Sequence, residues 1–346
     1  MVKRGGDDMS KFIFNYKSMI NKVMKSEKSK EIEKIKREYE VCNVNSENAI
    51  EIRNLTKSFK GMYALNGLNM TVPVGAIYGF IGENGSGKST TEKLICGHLV
   101  ADEGSIKLFG RDYTDPGVRV RVGALIENAG CFPGSTVKTN LMMQAINLNI
   151  ENREAEIERV LKIVRMEEHA NLKFKKCSLG MKQRIGIAMA LLGNPALLIL
   201  DEPINGLDTD GMRIMREVLV DITKNNNCTI LIASHILGEL EKIATHYGII
   251  RQGKMIQEIS AKEMEGRCRI FTSLKTKDMK NAKDLLKRKF KDVREEDEYL
   301  RVYDVDDTET IVEYLLKNGH VVSEIKKNKI GLEEYYIELM SKKEGN

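Results

Sequence analysis

No two of the six cysteines (Cys42, Cys96, Cys131, Cys177, Cys228, Cys268) stand at C-x-x-C spacing, which argues against a zinc cluster. No apolar run reaches the ~20 residues that a membrane span needs. The most apolar stretch, Ile187 to Leu200, is broken by Asn194-Pro195. An integral membrane chain is therefore excluded, as are collagen-like, low-complexity and small disulfide-rich scaffolds. No internal repeat is present. The N-terminus is too heavily charged for a secretory leader, so the thiols are read as reduced and cytoplasmic. A broad basic surface is missing as well. Of the net charge of +5, residues 1–30 carry all of it: eight Lys/Arg against Asp7, Asp8 and Glu27. The remaining residues balance to zero, which speaks against a nucleic-acid partner.

What is present is a chain of 346 residues, 42% apolar and 30% charged, enough for about two domains with buried cores. Residues 1–48 read as a basic helical extension. Ile13, Tyr16, Ile20 and Val23 fall on one helical face among lysines, and a second helix is expected over Glu31 to Glu40. Such an arm suits an anionic membrane surface or a docking partner. It equally suits a solvated arm, or a chain whose translation starts at Met9. Residues 49–260 form the expected main domain, with strands at Ala49–Arg53, Asn69–Val72, Ala76–Ile81, Ala196–Leu200 and Thr229–Ala233. Helices are expected at Ser89–Gly97 and Met212–Lys224, and a helical subdomain over about 133–180. Buried strands alternating with helices predict a largely parallel α/β sheet. Residues 261–346 predict a small α+β domain, with strands at Arg269–Leu274 and Tyr299–Tyr303 and helices at Asp278–Phe290, Thr308–Lys317 and Leu332–Met340.

Gly82-Glu83-Asn84-Gly85-Ser86-Gly87-Lys88-Ser89, followed by Thr90, fits G-x-x-x-x-G-K-[ST] between a strand and a helix. Glycines let successive backbone N–H groups turn around phosphate oxygens, and the helix N-terminus adds its positive end. Lys88 would reach the β/γ-phosphates, and the Ser89 hydroxyl would ligate Mg²⁺. Leu197 to Leu200 form an apolar run ending in Asp201-Glu202. At the carboxyl end of a strand in such a sheet, Asp201 would hold Mg²⁺ and Glu202 would polarise the attacking water.

Around these stand Cys177-Ser178-Leu179-Gly180-Met181-Lys182-Gln183, Asn205-Gly206-Leu207-Asp208 and Ser234-His235. From about Ile50 to Gln257 the sequence resembles the ATP-binding subunits of ABC transporters, with each expected motif in order. The resemblance implies a P-loop NTPase sheet of the ABC ATPase type, carrying a helical subdomain and followed here by the small α+β unit. It implies ATP and Mg²⁺ as cofactors. It also implies that Ser178 and Gly180 open a helix facing the ATP of a second subunit, that Asp208 lies in the D-loop and that His235 contacts the γ-phosphate. Phe59 matches the aromatic that stacks on adenine, with Tyr63 as an alternative.

Three positions depart from the pattern. Glu127 stands where most members have Gln, and a carboxylate there is also a hard oxygen ligand for Mg²⁺. This feature, together with Gly331-Leu332-Glu333-Glu334-Tyr335-Tyr336, resembles the bacitracin and lantibiotic resistance exporters. Leu179 replaces a signature glycine and limits backbone freedom. Cys177 replaces a leucine and is read as a small apolar filler. The resemblance implies an ATPase at the cytoplasmic face of the membrane, peripheral to separate permease subunits and paired with a second ATP-binding subunit. Two alternatives stand beside it: a soluble ABC ATPase acting on ribosomes or nucleic acid, and a regulatory module without turnover. The neutral body and single phosphate loop weigh against the first, and the Asp201-Glu202 pair against the second.

Overall fold

The computed structural model describes residues 46–267, 270–296, 298–305, 307–329 and 331–341. The helices expected at 13–23 and 31–40, together with Cys42 and Cys268, lie outside them. The described residues fall into two compact units divided between Glu258 and Ile259.

The first unit opens with β1 (Asn48–Phe59) and β2 (Met62–Pro73). They are joined by Lys60-Gly61, both at positive φ (49° and 82°), the backbone that suits a two-residue hairpin. β3 (Ile77–Ile81) runs into the glycine-rich turn, and α1 (Lys88–Ile95) leaves it. Then follow β4 (Glu103–Leu108), β5 (Arg111–Asp112), α2 (Pro116–Arg119) and β6 (Val122–Leu125). The helical segment holds α3 (Val137–Asn147), α4 (Arg153–Ile163) and α5 (Leu179–Leu191). β7 (Leu197–Asp201), α6 (Thr209–Asn226), β8 (Thr229–Ser234), α7 (Leu237–Leu240), β9 (His246–Arg251) and β10 (Lys254–Ser260) complete it.

Two sheets result. The larger has the order β10-β9-β3-β8-β7-β6, and its β9/β3/β8/β7/β6 pairings are parallel. The smaller, β2-β1-β4-β5, is antiparallel. The larger sheet is the largely parallel one expected; alternation in single runs does not reveal that the first two strands stand outside it. The reason is covalent: a two-residue turn can only return the chain antiparallel. A continuous core joins Ile50, Ile52, Leu65 and Met70 of the small sheet to Phe80, Leu197 and Leu231 of the large one. Leu94 and Ile95 of α1 lie in the same core. The helix behind the phosphate loop is thus held between two sheets. β8 is buried along its whole length, as a central parallel strand should be. α6 meets the core through Met215, Val218, Leu219 and Ile222, spaced i, i+3, i+4, i+7.

The second unit contains α8 (Ala261–Arg267), β11 (Ile270–Thr276), α9 (Met279–Lys289), β12 (Val293–Glu296), β13 (Tyr299–Tyr303), α10 (Thr308–Lys317), β14 (Val322–Lys329) and α11 (Leu332–Ser341). From β11 to β14 this is a β-α-β-β-α-β succession in an antiparallel sheet of order β12-β13-β11-β14, the split βαβ arrangement. Its core unites Leu274, Leu300 and Val302 with Ala282 and Leu286 of α9 and Ile311 and Leu315 of α10. The α+β expectation gains a definite topology.

Candidate nucleotide site

β3 delivers the chain to a loop built by close backbone approach. A Cβ on Gly82 would stand 2.5 Å from the Ile250 carbonyl oxygen. At Gly87, φ is 113° and a Cβ would lie 2.7 Å from the Ala64 carbonyl oxygen. Neither position admits a side chain. The Ser86 carbonyl accepts from Gly253 N at 2.8 Å, which ties the loop to the β9–β10 turn. The Ser86 hydroxyl is buried without a hydrogen-bond partner. Gly87 caps α1 without any side-chain acceptor, so the first N–H groups of that helix face the loop uncapped. Lys88 is buried, and its Nζ donates to the Gly82 and Glu83 carbonyls at 2.6 and 3.1 Å. Burial pushes its pKa down, while Glu202, Asp201 and Glu92 oppose the shift. Glu83, Asn84, Gly85 and Ser89 are exposed, and Thr90 is half-buried.

β7 ends at Asp201, and Glu202 follows in left-handed backbone at φ 49°. Its N–H donates to the Ala233 carbonyl at 2.9 Å, which fastens it to β8. Both carboxylate oxygens are held: Oε1 lies 2.7 Å from His235 Nδ1, and Oε2 accepts from Ser234 Oγ at 3.2 Å. A carboxylate oxygen only accepts, so Nδ1 carries the hydrogen of this contact. Ser234 Oγ also accepts from Ile236 N at 3.1 Å. Asp201 is half-buried; burial raises its pKa, and Glu202 adds to the shift. A cation beside it would relieve both effects.

Glu127 follows β6 at φ 64° and is exposed. Its Oε1 accepts from Lys93 Nζ on α1 at 2.8 Å, and this bond holds its pKa below the ordinary carboxyl value. Ser178 caps α5, its Oγ accepting from Met181 N at 3.3 Å, and Gly180 lies in the first turn against Leu207. Gln183 Nε2 donates to the Asn205 carbonyl at 3.1 Å, tying α5 to the segment after β7. Asp208 caps α6 by accepting from Gly211 N at 2.9 Å. Cys177 is buried and its thiol donates to the Lys173 carbonyl at 3.7 Å. Phe59, half exposed at the hairpin tip, pairs with Met62 and has Lys57 Nζ 5.6 Å from its ring centre; Tyr63 is more exposed still. The hairpin runs back along β2 to Ala64 and Leu65, the residues against Gly87.

The acids therefore converge from the carboxyl ends of two strands, β6 and β7. Glu127, Asp201 and Glu202 line one cleft of about 570 Å³, and Leu179 and Gln183 line it from α5. Ser178 and Gly180 are not among its lining residues. Among the described residues no group of three or more His, Cys, Asp or Glu is placed to hold a metal unaided. The Ser89 hydroxyl and the Asp201 and Glu127 carboxylates are hard oxygen donors, a set that fits Mg²⁺ only when phosphate oxygens complete the shell.

Sequence reasoning missed the parts played by three residues, and one contact. Ser234 and the Glu202–His235 contact join strands far apart in sequence. Lys93 pairs with Glu127. Glu92 is fully buried, and both its carboxylate oxygens lack a hydrogen-bond partner. Only Glu92 left a trace in the sequence: it falls three residues before Ile95, on the apolar stripe of α1.

Comparison with known proteins agrees with this fold. A family model described as ABC transporter matches residues 65–205. The bacitracin transport ATP-binding protein BcrA of Bacillus licheniformis is 36% identical over 298 residues, covering 84% of this chain and 97% of that protein. The lantibiotic transport ATP-binding protein SrtF of Streptococcus pyogenes is 39% identical over 217 residues, 63% of this chain and 92% of that protein. Among solved structures, cbiO1 of Clostridium perfringens, part of the cbiONQ ABC transporter complex, superposes with a TM-score of 0.58 at 27% identity, over 63% of this chain and 90% of that one.

Proposed function

The chain belongs to the family of ABC transporter ATP-binding subunits, and on that premise we propose that it is the ATPase of an exporter for antimicrobial peptides. It binds and hydrolyses ATP. The finer reading is that it does so with Mg²⁺, as one of a pair of such subunits, on the cytoplasmic face of separate permease subunits. The peptide substrate is inferred from the relatives that transport bacitracin and lantibiotic. No helix among the described residues is long and apolar enough to cross a membrane; the relatives that are ATP-binding subunits of transporters support a path for cargo in separate permease subunits. The neutral body argues against a ribosomal role.

The observation that carries the reading is the fixed carboxylate of Glu202. Lys88 and the uncapped N–H groups of α1 offer positive charge to a triphosphate. Mg²⁺, when bound, would neutralise the β/γ oxygens, held by Ser89, Asp201 and Glu127. Glu202 then stands beside Asp201, its two oxygens aligned by Ser234 and His235, to accept a proton from water. Phe59 would stack on adenine. Ser178, Gly180 and Asp208 would serve the nucleotide of the partner subunit, since the head of α5 presents N–H groups of its own.

The test is reconstitution of the full chain with its permease in vesicles. Wild type should hydrolyse ATP and move bacitracin or a lantibiotic. Glu202→Gln should keep ATP affinity and lose turnover by ~10²–10⁴-fold, the range of a general base. Normal turnover in that variant would remove Glu202 from the chemistry. ATPase activity without movement of any peptide would remove the substrate assignment.

A further inference from the structure

Glu127 is held by a cation on the very helix that leaves the phosphate loop. Lys93 is set between Glu92 and Leu94, both buried, so its backbone is anchored in the core while its side chain is half exposed. Its Nζ reaches Glu127 Oε1 at 2.8 Å across the gap from α1 to the turn after β6. That turn is tight: Asn128 N donates to the Ile126 carbonyl at 2.9 Å, and Glu127 between them sits at φ 64°. Left-handed backbone is uncommon for glutamate and persists where surroundings fix it. Lys93 also lies within electrostatic reach of Asp201 and Glu92, so one ammonium stands among three acids at the edge of the nucleotide site.

We propose that Lys93 is a positioning residue for Glu127: it holds the carboxylate in reserve on α1 and yields it to the nucleotide-bound divalent cation, so that loading the site shifts the Ile126–Asn128 turn. The inference rests on the proposed function above. Its physical basis is the weakness of the pair. Glu127 is 64% exposed and Lys93 35%. An ion pair so open to water shifts an equilibrium by at most about five-fold. A divalent cation at direct carboxylate distance outcompetes a half-solvated ammonium. A buried pair could not let go, and a glutamine at this position could accept the same hydrogen bond but would carry no charge to transfer. The charge of Glu127 thus makes two alternative partners available to one side chain, which is what a two-state element requires.

The experiment titrates Mn²⁺, as a paramagnetic stand-in for Mg²⁺, into the full chain saturated with the non-hydrolysable analogue AMP-PNP, reading free Mn²⁺ by electron paramagnetic resonance. Lys93→Met should tighten Mn²⁺ binding about two- to five-fold, because the competing ammonium is gone. Lys93→Arg should behave as wild type. In a Glu127→Gln background, Lys93→Met should have a smaller effect, because only the reach of the ammonium to Asp201 and Glu92 remains. A metal-free readout accompanies it: backbone amide exchange at Ile126–Asn128 should quicken in Lys93→Met and stay unchanged in Lys93→Arg. Equal Mn²⁺ affinity in wild type and Lys93→Met, or the same effect of Lys93→Met with and without Glu127→Gln, overturns the proposal. Failure of the wild-type chain to bind AMP-PNP at all would instead overturn the nucleotide-site reading itself.

Discussion

Replacing Glu92 by leucine should make this protein more stable, and increasingly so as pH rises. The side chain is fully buried on α1 and neither carboxylate oxygen has a hydrogen-bond partner. Burial, reinforced by the nearby charge of Asp201, lifts its pKa well above the ordinary carboxyl value of 4.5. The folded chain therefore keeps a proton that the unfolded chain releases. Between the two pKa values the native state binds more protons, so stability is greatest below the unfolded value and falls as pH rises, by up to about 1.4 kcal/mol per unit. Near pH 5, where little of that difference has accumulated, Glu92→Leu removes chiefly the unpaired polar group, a gain of about 1–3 kcal/mol. At pH 8 the gain should be larger by the accumulated proton linkage. Glu92→Gln separates the two contributions: it keeps an unpaired polar group and cannot titrate, so its advantage should appear only at the higher pH. Urea titrations of the three chains at both pH values measure this. Lower stability of Glu92→Leu at pH 8, or a gap between wild type and Glu92→Gln that ignores pH, would refute the reasoning.

Other substitutions probe the loop and the acid. Gly87→Ala forces a Cβ into left-handed backbone and against the Ala64 carbonyl; strain of ~1–2 kcal/mol should displace the loop and weaken ATP binding by about ten-fold or more in a calorimetric titration, whereas unchanged affinity would contradict the described packing. Ser234→Ala removes one of the two hydrogen bonds that hold Glu202 and should lower turnover by roughly ten-fold with ATP affinity intact, in line with ~1.5 kcal/mol for a hydrogen bond to a charged acceptor. His235→Ala removes the other and should cost more turnover than Ser234→Ala; a wild-type rate for His235→Ala in a steady-state assay would show that the imidazole does not orient the base.

What the sequence disclosed followed local rules. The phosphate loop, the acids ending β7 and the helix opening at Ser178 are fixed within a few residues of chain, and each left its signature there. Helices such as Thr308–Lys317 and strands such as Tyr299–Tyr303 fall where their periodicity put them. What remained hidden was contact between distant segments. That β1 and β2 form a separate antiparallel sheet depends on pairing with β4, which lies well beyond them in the chain. The grip of His235 and Ser234 on Glu202 depends on β7 and β8 being parallel neighbours in register. Lys93 reads as an ordinary surface lysine until the fold sets it opposite Glu127. Glu92 shows the opposite failing: the spacing that marked it as buried was present, but a charged residue at an apolar position is easily passed over when the neighbouring motif already explains the helix.

Glu127 and Glu202 share a backbone habit, φ 64° and φ 49°, that glycine or asparagine would adopt with less strain. A laboratory lineage selected only for heat resistance would drift toward those residues and lose both acids, emerging tougher and inert. Libraries built from this scaffold should therefore hold these two codons constant, or couple every round of heating to a screen for phosphate release.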